Sequence, residues 1–185
     1  MSTSDKSIVA VGAHSADFVW RAGGAIALYH DLGYQVHVIC LSYGERLGAT
    51  IEFLDAGDYP LEVTPELRDS LVQSLRAYRP EFILTHSLED PYNADHPRTT
   101  ALVLESRILA QAHGYPSYKA VIGAPPVFLY EPHQPEQCNF QVDMLLDITS
   151  VFERNDAVSR PGETQADRSC MRRHTTESTH MLGGC

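Results

Sequence analysis

Apolar residues along this chain come in short blocks whose period changes from one block to the next. Residues 7–13 (SIVAVGA) run almost unbroken, as in a parallel strand covered on both faces. From Asp17 to Leu32 the apolar positions Phe18, Ala22, Ala25, Ile26 and Tyr29 fall at helical spacing, and Gly33 stands where a C-cap belongs. Residues 35–42 (QVHVICLS) predict a second strand, which completes a βαβ unit with a right-handed crossover. A third strand is expected over 50–54 (TIEFL), followed by the turn-rich AGDYP. Thr64 then caps a helix with Pro65 at its first position; Leu67, Leu71 and Leu75 share one face, and Pro80 stops it. Residues 81–85 (EFILT) predict a fourth strand ending at His86. The polar SLEDPYNAD leads from it to a helix over about His96 to Ala112, ended by Gly114. Val127–Tyr130 and Met144–Ile148 are further strand predictions. Alternating strands and helices imply the α/β class: a Rossmann-like three-layer fold with a mostly parallel sheet and helices on both faces.

Two places break the pattern. Only Tyr43–Ala49 join the second and third predicted strands, whereas a parallel crossover takes roughly a dozen residues or more, usually as a helix. Either the third strand is antiparallel or displaced, or the crossover helix is missing. From Ser159 to Cys185 apolar residues (Ala166, Cys170, Met171, Met181, Leu182) stand singly without a period, and this tail is expected to be disordered.

Composition narrows the function classes. A chain of 185 residues reads as one domain, and 43% hydrophobic with 21% charged residues is ordinary for a soluble globular protein. No apolar run approaches the length of a membrane span, and MSTSDKS lacks the basic start and apolar stretch of a secretory signal, so a cytoplasmic location is expected. The net charge of −10 lies entirely in residues 1–150, which carry 9 Lys+Arg against 19 Asp+Glu, while 151–185 carry 5 of each. Such an acidic body argues against binding nucleic acid or a membrane surface. To handle an anionic substrate it needs a local cation, which a metal supplies. Cys40, Cys138, Cys170 and Cys185 show no zinc-ribbon spacing, and Cys40 is expected as a buried small hydrophobe.

In open α/β sheets, ligands bind beyond the carboxyl ends of the strands. His14 and Asp17 follow the first strand, Glu45 and Arg46 the second, and His86 the fourth. Asp90, Asn93, Asp95 and His96 lie on the loop after it, and Glu131 and His133 follow the Val127 strand. His14-x-x-Asp17 can set an imidazole and a carboxylate on one turn, and His96 can complete a facial triad suited to zinc or a related divalent ion. The plainer alternative is that His14 and Asp17 cap a helix and His96 is a surface residue.

AHSAD at 13–17 and THSLEDPYNADHPRT at 85–99 resemble the two signature blocks of the PIG-L/LmbE-like zinc hydrolases, metal-dependent N-deacetylases of Rossmann-like fold. The resemblance implies that His14, Asp17 and His96 hold the metal, with zinc the first expectation. The family's first block is typically A-H-P-D-D, and its first Asp, the base that activates water, is replaced here by Ala16. Alanine takes no proton, and losing such a base typically costs about 10²–10⁴-fold in rate.

The wider run AHSADFVWRAGGAIAL, LSYGER, GDYPL, LTHSLEDPYNADHP, AQAHGY and GAPPVFLYEPHQPEQC is similar to one divergent branch, the hydratases acting on 4-oxalomesaconate in bacterial gallate and protocatechuate degradation. That likeness covers roughly residues 7–152. It implies reversible addition of water to the double bond of a small keto tricarboxylate, giving 4-carboxy-4-hydroxy-2-oxoadipate. A zinc N-deacetylase with another base, or an inactive remnant, are the alternatives. Within this reading Glu45 and His133 are expected to move protons, and Arg46 and Arg98 to hold substrate carboxylates by bidentate bonds. His86 and Asp95 would orient the metal ligands from outside. Trp20 and Tyr29 are read as helix packing. Relatives in the branch carry a long charged helical segment where this chain has LGATIEFLDA, and the likeness stops near Phe152. The expected division is thus a metal-binding α/β domain over 1–152 and a polar tail over 153–185. A homo-oligomer stays open.

Overall fold

Every side chain of β1 (Ser7–Gly12) is buried, and successive ones point to opposite faces of a sheet. Val9 and Val11 enter one apolar cluster and Ala10 the other. A computed structural model describes residues 6–42, 51–57 and 59–154, and the backbone of 179–184. The same alternation recurs in β2 (Gln35–Ser42), where Ile39 and Leu41 oppose Val38 and Cys40, and in β4 (Phe82–Thr85), where Ile83 opposes Leu84. In β5 (Val127–Tyr130), Val127 and Leu129 oppose Tyr130.

Helices α2 (Pro65–Tyr78) and α3 (Asp95–Gln111) cover the first face through Leu67, Leu71, Leu75, Leu102 and Val103. On the second face lie α1 (Gly23–Asp31) and the π-helical turn Phe18–Ala22 before it, which contribute Ala25, Phe18 and Ala22. This is the expected three-layer Rossmann-like arrangement.

With β3 (Ile51–Ala56), β6 (Met144–Asp147) and β7 (Thr179–Gly184), the strand order is β3-β2-β1-β4-β5-β7-β6, and β1 to β5 are mutually parallel. The chain runs outward from β1 to β2 and β3, then returns to lay β4 on the other side of β1. The sheet therefore reverses direction between β1 and β4, and a crevice opens at their carboxyl ends.

β3 is parallel to β2 and hydrogen-bonded to it, which excludes an antiparallel or displaced strand and leaves the other alternative, a crossover without its helix. The physical reason is register. Ile51 pairs with Val38 and Ala56 with Ser42, so β3 starts only about four residues back from the end of β2, roughly 13 Å of strand. The eight residues 43–50 can span that without a helix. The tail also departs from expectation at Thr179–Gly184, whose backbone pairs antiparallel with both β5 and β6. Ladder hydrogen bonds join main chains and require no apolar period.

Local signals set the helix ends. The Leu67 N–H donates to Thr64 Oγ1 at 3.2 Å, Pro65 opens α2, and Arg79 closes it in the left-handed region just before Pro80. Gly33, at φ 87°, turns the chain out of α1. α3 ends at Gln111, close to the expected end, and a buried arginine takes its last carbonyls. Arg76 of α2 donates to the oxygens of Leu109, Ala110 and Ala112 at 3.2, 3.1 and 2.7 Å, and also to Tyr115 and Lys119. Its charge complements the negative end of the α3 dipole. Cys40 is buried, as expected. Among the described residues no helix is long and apolar enough to cross a membrane.

Arg76→Met strips these carbonyls of their donors. The expected loss is about 3 kcal/mol, or roughly 6–12 °C in Tm for a chain of this size. Scanning calorimetry checks it, and a shift under about 2 °C contradicts the role given to Arg76.

Candidate metal centre

β1 delivers Ala13 and His14 to the crevice, and the next turn closes on Asp17. The His14 N–H donates to Asp17 Oδ2 at 2.7 Å, and the Asp17 N–H donates to the His14 carbonyl at 3.3 Å. His96 enters from the first turn of α3. The ligand atoms of His14, Asp17 and His96 all lie within 4.8 Å of one another. His14 Nδ1 is 3.3 Å from Asp17 Oδ2, and His96 Nε2 is 3.6 Å from Asp17 Oδ1.

The outer nitrogen of each imidazole meets a second carboxylate. His14 Nε2 lies 3.4 Å from Asp95 Oδ2, and His96 Nδ1 lies 2.8 Å from Asp90 Oδ2. A carboxylate only accepts, so the closer contact of His96, to Asp90, places its ring proton on Nδ1 and leaves the lone pair of Nε2 directed inward, while His14 faces a carboxylate at each nitrogen. Asn93 Nδ2 donates to His96 Nε2 at 3.1 Å, which agrees with that assignment. Two imidazoles and a carboxylate, each imidazole backed by a further carboxylate, are the donor chemistry of a zinc-type site.

The electrostatics agree. Burial pushes the Asp17 carboxyl up, but the imidazoles of His14, His86 and His96 outweigh it and hold the group far below the usual carboxylate range. Burial pulls His96 down, but Asp17 and Asp90 outweigh it and hold the ring above its ordinary value. This cluster favours a positive charge at its centre. The residues present therefore fit a divalent cation.

His86, directly after β4, is buried and neutral. Its Nε2 accepts the Ala13 N–H at 3.0 Å, and burial pulls its pKa down to about 4. The ring stacks on His96 at 4.0 Å between centroids and meets the edge of Tyr130. Asp95 accepts from the backbone N–H groups of Tyr59 and Leu61 at 3.1 and 2.9 Å, and the Tyr59 ring stacks on His14 at 4.7 Å. Arg98, expected to hold substrate, instead donates to Asp95 Oδ1 at 2.9 Å and is not among the residues lining the cavity.

That cavity, about 380 Å³, opens beside the cluster, and its further lining includes Trp20, Arg21, Tyr59, Glu131 and His133. Trp20 is 60% exposed, which corrects its reading as helix packing. The π-helical turn over Phe18–Ala22 shifts the helical register after Asp17, and local π geometry of this kind recurs at functional sites. Tyr29 does pack, edge-on, against Tyr34 and Phe82. Arg21 Nη2 lies 3.0 Å from His133 Nδ1. Burial raises the Glu131 carboxyl, and Arg21 only partly offsets it. Glu45 and Arg46 lie outside the described residues.

The structure thus brings His14, Asp17, His96, His86 and Asp95 into one cluster, places His133 on its cavity, and turns Arg98 away. Sequence reasoning set Asp90 on the ligand edge without its role, and passed over Arg21. A signal for Arg21 existed: it stands four residues after Asp17, one helical turn further along the same face.

No protein-family model matches the chain. It is 46% identical to the 4-oxalmesaconate hydratase of Pseudomonas putida over 188 aligned positions, covering 85% of this chain and 73% of that protein. The crystal structure of GalB, the 4-carboxy-2-hydroxymuconate hydratase of Pseudomonas putida, superimposes with a TM-score of 0.81 at 40% identity, covering 96% of this chain and 95% of that one. The N,N'-diacetylchitobiose deacetylase of Pyrococcus horikoshii shares the fold, with a TM-score of 0.69 at 19% identity over 97% of this chain and 82% of that one.

Removing the outer carboxylate by Asp90→Ala is expected to weaken zinc binding about 10–100-fold, measured against a chromophoric chelator. His14→Ala should abolish stoichiometric binding. Unchanged zinc affinity in both variants contradicts the ligand set.

Proposed function

The chain belongs to the 4-oxalmesaconate hydratase family, whose fold is shared with N-deacetylases, and we propose that it hydrates a keto tricarboxylate of the 4-oxalomesaconate type at a zinc centre held by His14, Asp17 and His96. The observation that carries this reading is the combination of 46% identity with the grouping of His14, Asp17 and His96 in a chain whose residue 16 is alanine. Where the deacetylase block has its base, this chain has a methyl group. A divalent cation at the cluster supplies Lewis-acid stabilisation of the negative charge that builds on substrate oxygens.

The chain's own residues account for the remaining steps. His86 and Asp95 hold His96 and His14 in place, and Asp90 fixes the tautomer of His96. Tyr59 and Trp20 form apolar walls that orient the carbon chain. Water adds its oxygen to the alkene carbon that bears no hydrogen, which becomes the tertiary alcohol, while the other alkene carbon gains a proton and becomes a methylene. Glu45, on the connection after β2, is proposed to take the proton from water. His133, on the wall of the cavity, is proposed to deliver the proton to carbon. Arg46 is proposed to hold a substrate carboxylate. We place the activity in the cytoplasm, within aromatic-acid catabolism.

Zinc-loaded protein mixed with the conjugated keto acid should change its ultraviolet absorbance; chelation should abolish the change and added zinc restore it. A folded, metal-loaded sample that leaves the absorbance unchanged overturns the reading. Release of free amine from acetylated sugars would favour deacetylase chemistry instead. His133→Ala is expected to lower kcat about 10²–10⁴-fold with little change in KM. An unaltered kcat removes His133 from the proton path.

A further inference from the structure

We infer that Asn93 and Tyr59 form a pair of hydrogen-bond donors beside His96, which grips an oxygen of the anionic substrate next to the metal centre. The inference rests on the hydratase reading for the identity of the ligand, and on the geometry of the pair for everything else.

Asn93 stands on the connection between β4 and α3, which turns tightly around Asp90. Asp90 Oδ1 accepts the backbone N–H groups of Tyr92 and Asn93 at 2.9 and 3.1 Å. The side-chain amide is fixed as well. Its Oδ1 accepts the Asp95 N–H at 3.1 Å, and turning the amide over would set one donor against another. The nitrogen end therefore faces the metal cavity, with Nδ2 3.1 Å from His96 Nε2 and 3.3 Å from the Tyr59 hydroxyl. Tyr59 is held through its own backbone N–H, which donates to Asp95 Oδ2, and its ring lies flat on His14. Asp95 thus anchors both members of the pair, and both line the cavity.

This pair has hydrogens to give to a ligand. Nδ2 carries two, one for the Tyr59 oxygen and one toward His96 Nε2. Nε2 is the nitrogen assigned to the cation, and one lone pair cannot serve an amide and a cation together. In the zinc-loaded protein that amide hydrogen is left for a ligand oxygen. The phenol, whose oxygen accepts from Asn93, keeps its own hydrogen to donate. Three carboxyl groups, Asp17, Asp90 and Glu131, line the same cavity, so an anionic oxygen needs donors close to the cation. Donors already held in place lose little freedom when the ligand arrives.

The full zinc-loaded chain is compared with Asn93→Ala, Asn93→Asp and Tyr59→Phe. Binding of tricarballylate, an unreactive tricarboxylate, is measured by calorimetry at saturating zinc, alongside zinc affinity, kcat and KM. Asn93→Asp keeps an oxygen for the Asp95 N–H but puts an acceptor where the amide donates. Asn93→Ala should weaken tricarballylate and raise KM about 10–100-fold, and Asn93→Asp at least as much, with zinc affinity no more than about threefold weaker in either. Tyr59→Phe keeps the ring on His14 and should weaken tricarballylate about three- to tenfold.

A loss of zinc affinity of about tenfold or more in Asn93→Ala, with tricarballylate bound as before once zinc is saturating, overturns the assignment and makes Asn93 a brace for His96. Tricarballylate affinity that is equal in all four proteins, or absent from the unsubstituted one, overturns it too. If the unsubstituted protein binds tricarballylate through Asn93 yet does not hydrate the keto acid, the hydratase reading fails and the donor pair stands.

Discussion

The crevice of this protein is organised around Asp17, a half-buried carboxylate whose neighbours hold it ionised. Three imidazoles close on one side chain from three directions: His14 from the end of β1, His86 from the end of β4, and His96 from the start of α3. Each outer contact then follows. Asp95 and Asp90 take the far nitrogens of His14 and His96, Arg98 is drawn to Asp95, and Tyr59 and Leu61 give Asp95 their backbone N–H groups. The result is a centre lined by imidazole nitrogens and a carboxylate, a donor set that suits a cation.

That centre forms where it does because of sheet topology. The chain lays β2 on one side of β1 and β4 on the other, so their carboxyl ends part and leave room between them. Strands alternating cleanly between two apolar faces make the sheet rigid enough to hold imidazoles within a few ångströms of a shared point. Arg76 contributes at a distance by tying α2 to the carboxyl end of α3, the helix that carries His96 and Asp95 at its other end.

A structural relative on the same scaffold is a deacetylase. This chain has alanine at position 16, and Arg21 and Trp20 give its cavity a cation and an apolar wall.

Much of this was legible from the chain alone. Apolar period distinguished strands from helices, Thr64, Pro65, Pro80 and Gly33 marked ends, and strand-terminal placement gathered His14, Asp17, His86 and His96 on one edge, because period and capping are local properties. Tertiary structure decided the rest. The direction of β3 depended on register with β2, and pairing of Thr179–Gly184 depended on main-chain bonds between distant segments, neither of which leaves a local trace. Arg98 and Arg21 are the sharpest case: both are arginines near a candidate metal ligand in sequence, yet one turns to Asp95 and the other lines the cavity. Which way a long charged side chain points is set by the charges that the fold brings within reach, and those come from other parts of the chain.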